Sequence, residues 1–192
     1  MHFTNTNQHR TQVTVDAGKT FYSSALDLCV KHKTTKIDAV ILTHGHADAM
    51  MGLDDLRQWT TGKEAVQPAI EIYCSKPTFD VVQRTFPYLV DTGKATGSGD
   101  VTRINFHIIE CEDGYPLPFH IDELKVTPFE GHFEFILVEH GRSNGDPFMC
   151  MGFRFGDLSY CSDVSFIPQQ AHRIMEGSRW LIIDALRRML RV

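Results

Sequence analysis

The segment IDAVILT, residues 37–43, is apolar at nearly every position, the pattern of a strand buried on both faces. Before it, TQVTVDAG (11–18) predicts a short strand ending in Asp16 and Gly18. KTFYSSALDLCVKH (19–32) sets Phe21, Ala25, Leu28 and Cys29 at helical spacing. After it, Leu53, Leu56 and Trp59 share one side while Asp54, Asp55 and Arg57 lie on others. This predicts one amphipathic helix following Asp48. AIEIYC (69–74) continues as a strand and KPTFDVVQRTF (76–86) as a helix with Pro77 near its start.

Residues 91–100 (DTGKATGSGD) have no apolar period and read as a loop, with 84–100 as a stretch that borders a pocket or, more simply, the surface. Beyond it the period shortens. VTRINFHIIE, ELKVTPF, FILVEH, FMCMGFRFG and LSYCS predict successive short strands, PQQAHRIM a helix and WLIIDAL a last strand. The order βαβαβα, then strands, then αβ predicts an α/β fold with two sheets between layers of helix. No internal repeat occurs.

Length and composition sharpen this. A chain of 192 residues with 42% hydrophobic and 22% charged residues suits one folded domain over 11–192, preceded by a frayed, disordered polar segment 1–10. A net charge of -5 argues against a broad nucleic-acid surface but allows a small anionic substrate held by local cations. The five cysteines form no C-x-x-C pair and lie within or beside apolar runs, as buried thiols of a reducing compartment would. With no signal pattern and no apolar run near the ~18 residues of a membrane span, a soluble cytoplasmic protein with no membrane partner is expected.

The candidate chemistry sits where the buried strand ends, in Thr43-His44-Gly45-His46-Ala47-Asp48. Two imidazoles separated by a glycine can turn into one pocket and offer nitrogen ligands to zinc. Asp48 suits both a ligand role and a helix N-cap. His132, after a strand and a glycine, ranks slightly above His140 as a third nitrogen. Asp16, Asp163 and Asp184 mark further strand ends, where open α/β sheets bind ligands. DAGKT (16–20) is no nucleotide loop, because Val13 stands where the phosphate-binding motif needs glycine. Lys19 is either a solvated lysine or a contact for an anionic substrate. No serine elbow occurs, and Cys29, Cys74, Cys150 and Cys161 are embedded in apolar runs, which disfavours a covalent nucleophile.

ILTHGHADAMMGLDDLR resembles the H-x-H-x-D-H loop of the metallo-β-lactamase fold hydrolases. VTVDAGKT resembles their first-motif strand, VTPFEGH the third-motif histidine and GDLSYCSDVS the fourth-motif aspartate. The four segments stand in the family's order, and the H-x-H-A-D-A form is most similar to the cyclic-phosphodiesterase branch. The resemblance implies a four-layer αββα sandwich, incomplete at its N- and C-terminal edges. It implies His44, His46 and His132 on a first metal, Asp163 as bridge, Asp48 facing the second metal and Asp16 orienting a ligand histidine.

Two departures follow. Ala49 replaces the family's histidine after Asp48, and no histidine follows His172, so one Zn²⁺ is expected with a depleted second position; Mn²⁺ is the other candidate metal. The chain resembles a domain clipped at both ends, whose open edges would favour pairing, a homodimer included. The implied activity is hydrolysis, most simply of a phosphodiester of the cyclic-phosphate type, by hydroxide from a metal-bound water with Asp48 as the catalytic carboxylate. The competing expectations are a metal-binding but catalytically silent protein, and a thioester or lactone hydrolase.

Overall fold

The computed structural model describes residues 2–4, 10–96, 100–133, 148–164 and 167–184. Their backbone falls into two compact units, residues 1–110 with 121–124, and residues 111–120 with 125–192.

The first unit opens with β1 (His2–Thr4) antiparallel to β2 (Arg10–Val15). Of the segment expected to fray, His2–Thr4 thus pairs in β1 and Arg10 begins β2, while 1 and 5–9 lie outside the described residues. The chain continues through α1 (Phe21–His32), β3 (Ala39–Ile41), α2 (Ala47–Met50), a 3₁₀ turn (Leu53–Leu56), α3 (Arg57–Thr60) and β4 (Ile70–Cys74). It closes with α4 (Lys76–Thr85), α5 (Pro87–Val90) and β5 (Ile104–Ile108). The sheet order is β1-β2-β3-β4-β5, and β2 to β5 run parallel, so their carboxyl ends share one edge.

β3 is central and all three of its residues are buried, which is why its sequence does not alternate. β4 does alternate. Ile70, Ile72 and Cys74 enter a core with Phe21, Ala25, Leu53, Leu56, Trp59 and Val82, while Glu71 and Tyr73 point to the other face.

Local chemistry accounts for the element ends. Ser75 accepts the Thr78 amide at 3.3 Å as N-cap of α4, and Pro77 lies in its first turn, as the sequence predicts. α1 ends where Lys33 turns left-handed (φ 54°) and its amide meets the Cys29 and Val30 carbonyls. Two helical expectations differ from the structure. In α1 the inward row is Phe21, Ala25 and Cys29, whereas Leu28 is half exposed, because spacings of four rather than three follow the core here. The helix expected after Asp48 is interrupted at Met51-Gly52, and beyond it begins as the 3₁₀ turn that runs directly into α3. Gly52 lies so close to the preceding loop that an added Cβ would stand 2.4 Å from the Gly18 carbonyl oxygen. The apolar side of the pattern is kept, with Leu53, Leu56 and Trp59 all buried.

The second unit starts with the hairpin β6 (Cys111–Glu112) and β7 (Tyr115–Pro116), joined by Asp113-Gly114, both at positive φ as a two-residue turn of this type requires. β8 (Phe119–Ile121), β9 (Leu124–Phe133), β10 (Phe148–Phe155), β11 (Leu158–Cys161), α6 (Gln169–Met175) and β12 (Trp180–Ile183) follow along the chain, with sheet order β12-β11-β10-β9-β8, the turn Ile121–Leu124 counting with the first unit. β6, β7 and β8 are too short to have shown an apolar period. Arg154 of β10 donates to the Ile174 and Glu176 carbonyls at 2.5 and 2.6 Å and so caps the end of α6. The strand expected at FILVEH, with His140, lies outside the described residues. No helix among them is long and apolar enough to cross a membrane.

Candidate metal centre

The site is built on the carboxyl ends of β2 and β3. Past β3 the chain runs through Leu42 and Thr43, both fully buried, and places His44 at 2% exposure. His46 then starts α2 in extended conformation (φ -82°, ψ 162°), so the N-cap expected of Asp48 belongs to His46, and Asp48 lies in the first turn. The turn through Gly45 and His46 into α2 brings Asp48 Oδ1 to 3.7 Å from His44 Nε2, an atom shut from solvent. The rings of His44 and His46 meet edge to face, with centroids 4.6 Å apart. Donor atoms of His44, His46 and Asp48 lie within 4.8 Å of one another.

This donor set fits a divalent cation. Two imidazole nitrogens and a carboxylate oxygen are ligands that zinc takes at about 2.0–2.2 Å, which sets tetrahedral donors about 3.4 Å apart. The observed donors lie within 4.8 Å of one another, so the cluster has the scale of such a site.

The loop 16–20 supports the site through its backbone. Ala17 N donates to Ala49 O, and Gly52 N donates to Ala17 O, each at 2.7 Å. Gly18 passes so close that an added Cβ would lie 1.8 Å from the Asp48 carbonyl oxygen. The glycine of DAGKT is therefore there for close approach of two backbones, not for a phosphate. Asp16, left-handed at φ 62°, turns its carboxylate onto Thr43. It accepts the Thr43 amide at 2.8 Å and the Thr43 hydroxyl at 3.1 and 3.0 Å. The Thr43 hydroxyl in turn lies 2.8 Å from His44 Nδ1. Thr43 is the residue that sequence reasoning missed. A hydroxyl closing an otherwise apolar strand, directly before the first histidine, was the available signal.

The remaining candidates are placed as follows. Asp163 ends β11 in the second unit with φ 46°, a second strand-end aspartate in left-handed conformation. His132 lies in β9, its backbone opposite Met149, and its side chain is outside the described residues. Lys19 is exposed in the turn before α1. Ala49 is 2% exposed, so the position where a second-metal histidine was expected carries a packed methyl group. Two thiols are unsuited to nucleophilic work, because burial pushes Cys74 up to about 12 and Cys161 up to about 11. Contrary to the expectation of buried thiols throughout, Cys29 is only half-buried and Cys111, in the short β6–β7 hairpin, is exposed.

Two five-stranded sheets among the described residues, with helices packed on the first, and a histidine–aspartate loop at a strand end define an α/β protein of the metallo-β-lactamase type. The chain belongs to the family described as the beta-lactamase superfamily domain, which matches residues 11–190. It resembles the solved structure of a new diphosphatase from the PhnP family, with TM-score 0.66 at 22% identity over 92% of this chain and 56% of that one. A metallo beta lactamase from Hirschia baltica is similar with TM-score 0.55 at 11% identity, over 95% of this chain and 75% of that one. Among curated proteins, an octanoyltransferase of Porphyromonas gingivalis is 25% identical over 151 residues, which are 79% of this chain and 26% of that protein. The chain thus spans about a quarter of that relative and little more than half of the diphosphatase.

Proposed function

We propose that this chain is a metal-dependent hydrolase acting on a small anionic phosphodiester, of the cyclic-phosphate type. The observation that carries the reading is the convergence of His44, His46 and Asp48 within 4.8 Å at the end of a buried parallel strand. His44 and His46 would hold the cation through ring nitrogens, and Asp48 through a carboxylate oxygen or by taking a proton from the attacking water. A bound divalent cation would supply a water nucleophilic at neutral pH and would polarise the phosphoryl oxygen. The resemblance adds His132 and Asp163 to the same ligand set, and Lys19 as a contact for substrate charge. The similarity to a diphosphatase supports phosphorus chemistry.

Zinc is the metal best suited to these donors, with manganese second, and one ion per chain is expected. The packed methyl of Ala49 favours this asymmetry, and it also favours the competing reading of a protein that binds metal without catalysis. The free thiols Cys74, Cys150 and Cys161, all buried, are consistent with a reducing, cytoplasmic setting. β12, whose four residues are all exposed, is an edge at which a second copy could pair.

The test measures bound metal by elemental analysis and assays a generic phosphodiester beside a thioester and a lactone, with wild type and His46→Ala. About one zinc per chain, with phosphodiester turnover lost in His46→Ala, supports the proposal. Turnover that survives His46→Ala overturns the metal-hydrolase reading. One bound metal without turnover of any ester selects the silent protein, and turnover of the thioester or lactone alone changes the substrate class.

A further inference from the structure

The three-atom chain from Asp16 through Thr43 to His44 has a direction that hydrogen-bond counting fixes. An ionised carboxylate only accepts, so Asp16 takes the Thr43 hydroxyl proton at 3.1 and 3.0 Å. A hydroxyl has one proton and two lone pairs. With its proton directed to Asp16, Thr43 Oγ1 faces His44 Nδ1 at 2.8 Å as an acceptor. His44 Nδ1 must therefore carry the hydrogen, which leaves the Nε2 lone pair directed towards Asp48 Oδ1 and the donor cluster. The free neutral histidine side chain prefers the opposite tautomer, with its hydrogen on Nε2.

We infer that Thr43 is the positioning residue of this site: it holds His44 in the Nδ1–H tautomer and so presents Nε2 to the cation, with Asp16 acting through Thr43. The inference rests on the metal-site reading for its purpose, but the tautomer is a property of the metal-free protein. Burial makes the arrangement rigid, since Thr43 is 0% and His44 2% exposed. The Thr43 amide, held by the same Asp16 carboxylate, fixes the hydroxyl's backbone as well.

The experiment records long-range ¹⁵N–¹H correlations of the metal-free protein at about pH 8, where a histidine of ordinary pKa is neutral. Zn²⁺ alone is then titrated into wild type, Thr43→Val and Thr43→Ser. The expected result is an Nδ1–H His44 in wild type and a loss of that signature in Thr43→Val. Zinc affinity in Thr43→Val should fall about 10–100-fold, the usual effect of removing a group that orients a ligand. Thr43→Ser, which keeps the hydroxyl, should restore both. An Nε2–H His44 in wild type overturns the inference, as does a folded Thr43→Val that keeps both tautomer and affinity. If Thr43→Val does not fold, the wild-type tautomer and the serine variant still decide. A wild type that binds no zinc defeats the proposed function, while the tautomer continues to decide the role of Thr43.

Discussion

His44 and His107 each stand beside a carboxylate in the first unit, and the two pairs are built differently. His107, within β5, has Glu71 Oε2 2.5 Å from its Nε2, and its ring stacks on Tyr73 with centroids 4.6 Å apart. Asn105 donates to the other Glu71 oxygen at 2.7 Å. The side chains of His107 and Glu71 are 44% and 36% exposed. His44 has its carboxylate further away, at 3.7 Å, but is 3% exposed, and its second nitrogen is held by Thr43. The closer pair is the less suited to chemistry. A short contact in water is a screened surface pair, whereas a buried ring with one nitrogen engaged keeps the other for a ligand.

The sharpest way to break this comparison is to remove one imidazole from each place. His46→Ala should lower metal affinity by more than the roughly 10–100-fold that loss of a supporting group costs, and should abolish turnover. His107→Ala should leave both unchanged. Titration of each variant with Zn²⁺ checks this, and equal losses would erase the distinction between the two regions.

Gly18→Ala probes the backbone docking beneath the buried pair. Its Cβ would meet the Asp48 carbonyl, which cannot rotate away as a flexible side chain could. Overpacking of this kind costs about 1–3 kcal/mol, read as a lower denaturant midpoint. It should weaken zinc binding as well, because α2 must shift. Unchanged stability and affinity would show that the loop 16–18 is not tied to the site.

Much of this was legible in the chain. The apolar run of 39–42 marked the central strand, and H-x-H beyond its end marked the candidate ligand pair, because strand burial and strand-end chemistry are local patterns. Asp48 was legible as a site residue but not as part of a helix capped by His46, since the cap depends on how α2 turns against the loop 16–18. Gly18 was visible but ambiguous, because a glycine after a strand looks the same whether it meets a phosphate or a carbonyl. Thr43 escaped because its role depends on the neighbouring parallel strand, which brings Asp16 alongside through the pairing of Val15 with Ile41.

β4 carries both kinds of environment on its two faces and allows a comparison by pH. Burial raises Cys74 from 9.0 to about 12, and Tyr73 beside it is raised by burial first and then by Glu71 and Asp122. Between about pH 9 and 12 the unfolded thiol has lost its proton while the folded one keeps it. Stability should then fall as pH rises, by about 1.4 kcal/mol per unit from this group alone. Cys74→Ala should flatten that slope in urea midpoints measured across the range. An unchanged slope would show that the inner face of β4 admits water.

The smallest effect belongs to the exposed pair itself. Glu71→Gln keeps the shape and one acceptor oxygen, enough for the Asn105 amide, but replaces the oxygen facing His107 by an NH2 group and removes the charge. Exposed ion pairs are worth about 0.2–1 kcal/mol and weaken with salt. Glu71→Gln should therefore cost no more than that in low salt, and the difference from wild type should shrink towards zero as salt is raised. The same salt series applied to Thr43→Val should leave its zinc-affinity deficit largely intact, since a hydrogen bond between buried groups is poorly screened. A salt-independent Glu71→Gln effect would mean that the pair is more enclosed than its exposure indicates, and the contrast with His44 would then rest on the Thr43 contact alone.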